Sequence, residues 1–108
     1  MKPFRLAEDL PADLQAAYDF YRQRSAAVAD RFVSAYAETR DRLIAQPSLF
    51  RVRSHGWRQA IIPKFPRYGI FYKEMDAFWL IAGVVSTVQD PDNLLARLLI
   101  REATEDRH

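Results

Sequence analysis

The chain of 108 residues contains no cysteine, which excludes a disulfide framework and thiolate chemistry. Its two histidines, His55 and His108, are too few and too far apart for a zinc site, and no other metal or cofactor motif is present. No stretch approaches the roughly 20 apolar residues that a membrane span needs. The first residues, MKPFRLAEDL, lack the long apolar run of a signal peptide. Internal repeats and low-complexity segments are absent too. These absences lead to the expectation of a soluble cytoplasmic protein without cofactors. The length suits one domain over residues 1–108, and the 49% of apolar residues suffices for a core.

One absence is local. Residues 51–73 contain no acid, yet carry Arg51, Arg53, Arg58, Lys64, Arg67 and Lys73. Residues 1–50 balance seven basic against seven acidic side chains, and residues 74–108 hold three against seven. The formal net charge of +2 thus hides a block of +6. Such a block makes an electropositive region unless acids from elsewhere in the chain fold over it.

The rest of the chain alternates clear patterns. Residues 3–6 suit a short edge strand. Leu10, Leu14, Ala17 or Tyr18, and Tyr21 fall at helical steps, and Pro11 requires this helix to begin near Glu8 or Asp9. Ser25 is placed to cap a second helix carrying Val28, Phe32, Tyr36, Thr39 and Leu43, which Pro47 stops. So short a junction makes an antiparallel helical hairpin. Arg51–Ser54, Trp57–Ile62 and Tyr68–Lys73 read as strands, with PKFP (residues 63–66) as a connector that lacks ladder donors at its prolines. Phe78–Val85 carries no charge, as suits a central strand covered on both faces. Asp90–Pro91 opens a terminal helix with Leu94, Leu95, Leu98 and Leu99 on one stripe, which docks on its own sheet or, in the alternative, serves as a dimer contact or a groove for a partner. Thr104–His108 should fray. The order predicts a two-layer α+β domain: an N-terminal helical hairpin on a small antiparallel sheet of three to four strands, then a short C-terminal helix.

With helices of the type ADLQAAYDFYRQ and AAVADRFVSAYAETRDRLIAQPSLF, the strand region WRQAIIPKFPRYGIFYK, a polar turn and an apolar strand running into DP, residues 5 to 95 resemble the RelE/ParE superfamily of type II toxin–antitoxin toxins. FPRYGIFY and the terminal DP are closer to the ParE branch. The resemblance implies a cognate antitoxin as partner and one of two activities. RelE-like members are ribosome-dependent mRNA endoribonucleases, whereas ParE-like members inhibit DNA gyrase by binding it.

Attack by a 2′-hydroxyl needs a proton acceptor, a cation for the phosphate and a donor for the leaving oxygen. The middle strands offer Arg58, Lys64, Arg67 and Tyr72, beside Tyr68 and Lys73. The last strand runs into VVSTVQDPD and offers no cation. Ser86 stands where the resembling ribonucleases often carry histidine, and Val88 and Gln89 where they carry arginines. Ser86 has no adjacent base to activate it. The sequence therefore favours a binder, with Arg51, Arg53, Arg58, Lys64, Arg67 and Lys73 as the partner-binding set. The alternatives are a ribonuclease using Arg58, Lys64, Arg67 and Tyr72, and an inactive member that only binds antitoxin. RNA or DNA phosphate is a less favoured ligand. The seven Phe, five Tyr and two Trp fall mostly at core spacing rather than on a stacking platform. Ser86, Thr87 and Gln89 could serve either a partner or the strand end.

Overall fold

A computed structural model describes residues 2–106. The elements are β1 (Phe4–Leu6), α1 (Leu10–Arg22), α2 (Ala26–Ala45), β2 (Val52–Ser54), β3 (Trp57–Ile61), β4 (Tyr68–Glu74), β5 (Trp79–Ser86) and α3 (Pro91–Asp106). The fold is α+β, with a five-stranded sheet in the order β1-β5-β4-β3-β2.

The helical hairpin forms as its pattern requires. Pro11 sits in the first turn of α1, and Leu10, Ala17 and Tyr21 are buried. Ser25 caps α2, its Oγ accepting from the Val28 amide at 3.0 Å. Phe32, Tyr36, Thr39 and Leu43 form the buried stripe of α2, and Thr39 returns its hydroxyl to the Ala35 carbonyl at 2.8 Å.

The sheet departs from the expected three to four antiparallel strands in two ways. There are five strands, because both short candidates pair. β2 joins β3 through the turn His55–Gly56, both residues at positive φ (52° and 82°) as tight hairpin turns require. The sheet is also mixed. β1 runs parallel to β5, Phe4 opposite Trp79 and Leu6 opposite Ile81. Two helices and three strands intervene, and the returning chain meets β1 from the same end.

The layer count differs as well. α1 and α2 cover one face, over Ala60, Ile70, Tyr72, Trp79, Ile81 and Val84. The other face bears Trp57, Phe71, Leu80, Ala82 and Val85, and α3 lies over it through Leu98, Leu94 and Leu95. The molecule therefore has three layers, and β5 is covered on both sides as its uncharged run implied. α3 is not short. It runs 16 residues, and Thr104–Asp106, expected to fray, complete it. Arg107 and His108, expected to fray with them, lie outside the described residues.

One ion pair ties the layers together. β4 and β5 change register at Phe71/Tyr72, so Ala82 is an additional residue opposite them. β1 ends at Leu6, leaving the outer edge of β5 open beyond Ile81. There the Asp13 Oδ2 of α1 accepts from the Val84 amide at 3.1 Å, and the Arg101 Nη1 of α3 donates to the Ala82 carbonyl at 3.1 Å. The two side chains join each other at 2.5 and 3.0 Å. A Cβ at Gly83 would fall on both of them, so glycine leaves the space that the pair fills. The pair takes the place of a neighbouring strand and satisfies the edge groups that backbone would otherwise have to meet.

Candidate partner-binding surface

The stretch VVSTVQDPD ends β5 beside the PKFP connector. Thr87 donates its hydroxyl to the Pro66 carbonyl at 2.8 Å, and its amide bonds the Arg67 carbonyl at 2.7 Å. Ser86 Oγ accepts from the Val88 amide at 3.3 Å. Gln89 donates to the Ser86 carbonyl at 2.9 Å and accepts from Arg97 at 3.2 Å. Ser86, Thr87 and Gln89 are thus engaged in closing the strand end. Pro91 starts α3, and the Leu94 amide bonds the Asp90 carbonyl at 3.0 Å.

The connector presents cations at this same pole. Lys64 and Arg67 are exposed. The Arg67 guanidinium lies 4.4 Å from the Phe20 ring centroid of α1, with Arg24 5.9 Å from the same ring. Beneath them Phe20, Tyr21, Phe32, Phe65 and Tyr68 form an aromatic cluster with centroids 5.0 to 6.0 Å apart, edge-to-face except for the tilted Tyr21–Phe32 pair. Burial pushes the Tyr21 hydroxyl pKa up, Tyr68 adds to the rise, and Arg67 and Arg24 oppose it. Arg67 and Arg24 thus stand over an aromatic base and gain attraction to a ring face.

A groove of ≈ 550 Å³ runs from this pole between α2 and the connector. Val28, Ala35, Pro63 and Phe65 give it an apolar lining, and Arg31, Arg42, Lys64 and Glu38 stand along it. The helical arginines Arg24, Arg31 and Arg42 were not visible as part of a site in the sequence. They lie in a half with balanced charge, and only folding brings them beside Lys64 and Arg67.

The other predicted cations are placed elsewhere. Arg58 lies at the opposite end of β3 and is half-buried, donating to the Phe50 carbonyl at 2.6 Å. Arg51 and Arg53 are exposed along the edge around β2. Lys73 is paired with Glu102 of α3 at 2.7 Å. The remaining ion pairs among the described residues join Lys2 to Glu74, Arg40 to Asp41, and Arg101 to Asp9 and Asp13. Arg51, Arg53, Arg58, Lys64 and Arg67 have no carboxylate partner there.

The ribonuclease set of Arg58, Lys64, Arg67 and Tyr72 is not brought together. Arg58 and Tyr72 are cross-strand partners at one end of the sheet. Lys64 and Arg67 are at the other, beyond roughly 10 Å of strand. Tyr72 is 0% exposed, and its hydroxyl donates to the Pro47 carbonyl at 2.6 Å. Burial pushes its pKa up, with Arg58 opposing, so it stays a neutral donor to that carbonyl. Among the described residues, no group of three or more His, Asp or Glu side chains could hold a metal ion, and no helix is long and apolar enough to cross a membrane.

The sequence pattern of the family described as ParE toxin of type II toxin-antitoxin system, parDE, matches residues 4–91. That span takes in β1 to β5 and stops at the first residue of α3. No curated protein matches the chain.

Proposed function

Because the chain belongs to the ParE toxin family of type II toxin–antitoxin systems, we propose that it arrests growth by stoichiometric binding to a protein target, DNA gyrase, and that a cognate antitoxin silences it. In this reading it is one domain over residues 1–108, acts in the cytoplasm, and stabilises the plasmid or locus that encodes the pair.

The observation that carries this reading is the division of polar groups. Lys64 and Arg67 stand exposed without carboxylate partners, next to Arg24 and Arg31 of the helices. The hydroxyl of Tyr72, the tyrosine of the ribonuclease set, and that of Thr87 at the end of β5 are bonded to backbone carbonyls of their own chain. A rim of free cations over apolar surface suits a protein partner with acidic and aliphatic side chains. Lys64 and Arg67 are its centre, Arg51, Arg53 and Arg58 a second group along the β2 edge, and Lys73 contributes only if its pair with Glu102 opens.

The test is inducible expression with and without the adjacent reading frame. Growth arrest relieved by that frame supports a toxin. Unchanged growth at good soluble expression rejects it and leaves an inactive member that binds antitoxin. Discrete mRNA cuts on translating ribosomes, lost in Arg67→Ala, would replace binding with ribonuclease activity.

A further inference from the structure

The indole N–H of Trp57 is buried with no hydrogen-bond partner among the described residues. Buried donors are nearly always satisfied, because one taken from water without an acceptor is costly. Trp57 begins β3 on the sheet face that α3 covers, and it is 2% exposed. The polar groups around it do not relieve the deficit. The Lys73 ammonium lies 5.4 Å from the indole ring centroid and can only donate. The Glu102 carboxylate is held by Lys73 at 2.7 Å, and Ser54 Oγ is engaged with the His55 ring at 3.2 Å.

Trp57 lines a cavity of ≈ 280 Å³ between the sheet and the N-terminal half of α3. Phe71, Leu94, Leu95 and Leu98 give it apolar walls. Arg53, also in the lining, is exposed and has no carboxylate partner among the described residues, where the ion pairs are those of Lys2, Arg40, Lys73 and Arg101. Gln59 lies across Gly69. A Cβ there would stand 3.0 Å from Gln59 Nε2, so glycine leaves the room that the amide fills. Thr87 and Gln89, the other polar side chains at the end of β5, already donate to backbone carbonyls. Apolar walls with an unmet donor and a free cation select an apolar molecule that carries an anionic acceptor.

We propose that this cavity is a binding site for a small apolar carboxylate. Its hydrocarbon body packs on Phe71 and the leucines of α3, and its carboxylate accepts from Trp57 Nε1 and pairs with Arg53. The volume is at the lower edge of ligand pockets, which run from roughly 300 to 1,000 Å³, and so suits a molecule of metabolite size. A phosphate ion would satisfy Arg53 but leave the leucine wall uncovered. Leu94, Leu95 and Leu98 lie beyond residue 91, where the family pattern stops. The cavity is also on the face of the sheet away from α2 and the connector. The site is therefore separate from the surface proposed for the protein partners, and its test needs neither of them.

The experiment titrates the full chain with octanoate and follows the two indole N–H resonances by proton–nitrogen correlation NMR. Trp79, buried on the hairpin face, is the internal control. Octanoate should bind with a Kd of roughly 0.1–1 mM and move the Trp57 signal downfield, as a new acceptor requires, while Trp79 stays in place. Trp57→Phe assigns the signal and should weaken binding about 3- to 10-fold through loss of the donor. Arg53→Gln alters an exposed side chain, so the protein should fold as wild type and bind octanoate about 3- to 10-fold more weakly. Octan-1-ol, which lacks the charge, should bind about 10-fold more weakly than octanoate. No movement of the Trp57 signal at roughly ten times that Kd, or equal binding by wild type and Arg53→Gln, would overturn the site. Octan-1-ol binding as tightly as octanoate would overturn the choice of a carboxylate. Inorganic phosphate moving the Trp57 signal as far as octanoate does would overturn the choice of an apolar ligand.

Discussion

Replacing Arg101 by methionine removes one half of the pair that closes the open edge of β5. The side chains of Arg101 and Asp13 are 10% and 9% exposed, and they are joined by two hydrogen bonds of 2.5 and 3.0 Å. The hydrogen bond that Arg101 donates to Asp13 is also the main reason the Arg101 pKa is raised, against the cost of burial. Arg101→Met leaves the Asp13 carboxylate buried without its cation and the Ala82 carbonyl without its donor. Loss of one partner of a buried pair costs about 3–5 kcal/mol, a large share of a domain stability of about 5–15 kcal/mol. In a domain of this size that lowers the Tm by roughly 10–20 °C. Asp13→Asn should cost less, because an amide oxygen still accepts from Val84 and Arg101 keeps Asp9, 3.6 Å away. The double variant Asp13→Asn/Arg101→Met should be less destabilised than the sum of the two, since it removes both charges of the pair together and leaves neither buried alone. Urea denaturation followed by circular dichroism gives the cycle. A Tm for Arg101→Met within about 2 °C of wild type, well inside the shift expected for a single kcal/mol, would refute the reasoning and make the pair a solvent-screened contact.

Three further outcomes concern the buried tyrosines and the exposed Arg67. Burial raises the pKa of Tyr72, Tyr21 and Tyr36 above the ordinary value of 10.0. The folded state holds their protons more tightly than the unfolded chain, so their stabilising effect is complete below pH 10 and lost as pH rises through the folded values; denaturation midpoints should be insensitive to these groups at neutral pH and fall above about pH 10. Tyr72→Phe should reduce that alkaline slope and cost about 1–3 kcal/mol by orphaning the Pro47 carbonyl. Arg67→Ala should change stability by no more than about 1 kcal/mol, the worth of an exposed cation on a ring, yet weaken growth arrest; normal toxicity at wild-type expression would remove Arg67 from the binding surface.

How much of this was legible in the sequence depends on the range of the signal. Ser25, Pro11 and the stripe Phe32–Tyr36–Thr39–Leu43 act within a turn or two, and α1 and α2 fell where they directed. The hairpin strands β3 and β4 were legible for the same reason. β1 was harder, since its partner β5 lies more than 70 residues away and nothing in Phe4–Leu6 encodes a parallel neighbour. The uncharged run Phe78–Val85 already implied cover on both faces, which a two-layer arrangement cannot supply. α3 provides it, and its length was underread because the apolar stripe stops at Leu99. The last turns are held instead by Arg101, Glu102 and Glu105, whose partners Asp13, Lys73 and the Glu8 amide are distant in sequence. The basic block was visible as composition, but its division was not. Folding sends Lys64 and Arg67 to one pole and Arg58 to the other, ties Lys73 to α3, and adds Arg24, Arg31 and Arg42 from the helices.

The central claim, action by binding at a cationic surface, is tested most directly by gyrase-catalysed DNA supercoiling with the purified chain added in stoichiometric amounts. Supercoiling should be lost, recover when the antitoxin is added, and be inhibited less by the Arg67→Ala variant. Undiminished supercoiling at a clear molar excess of folded protein that still arrests growth would contradict it.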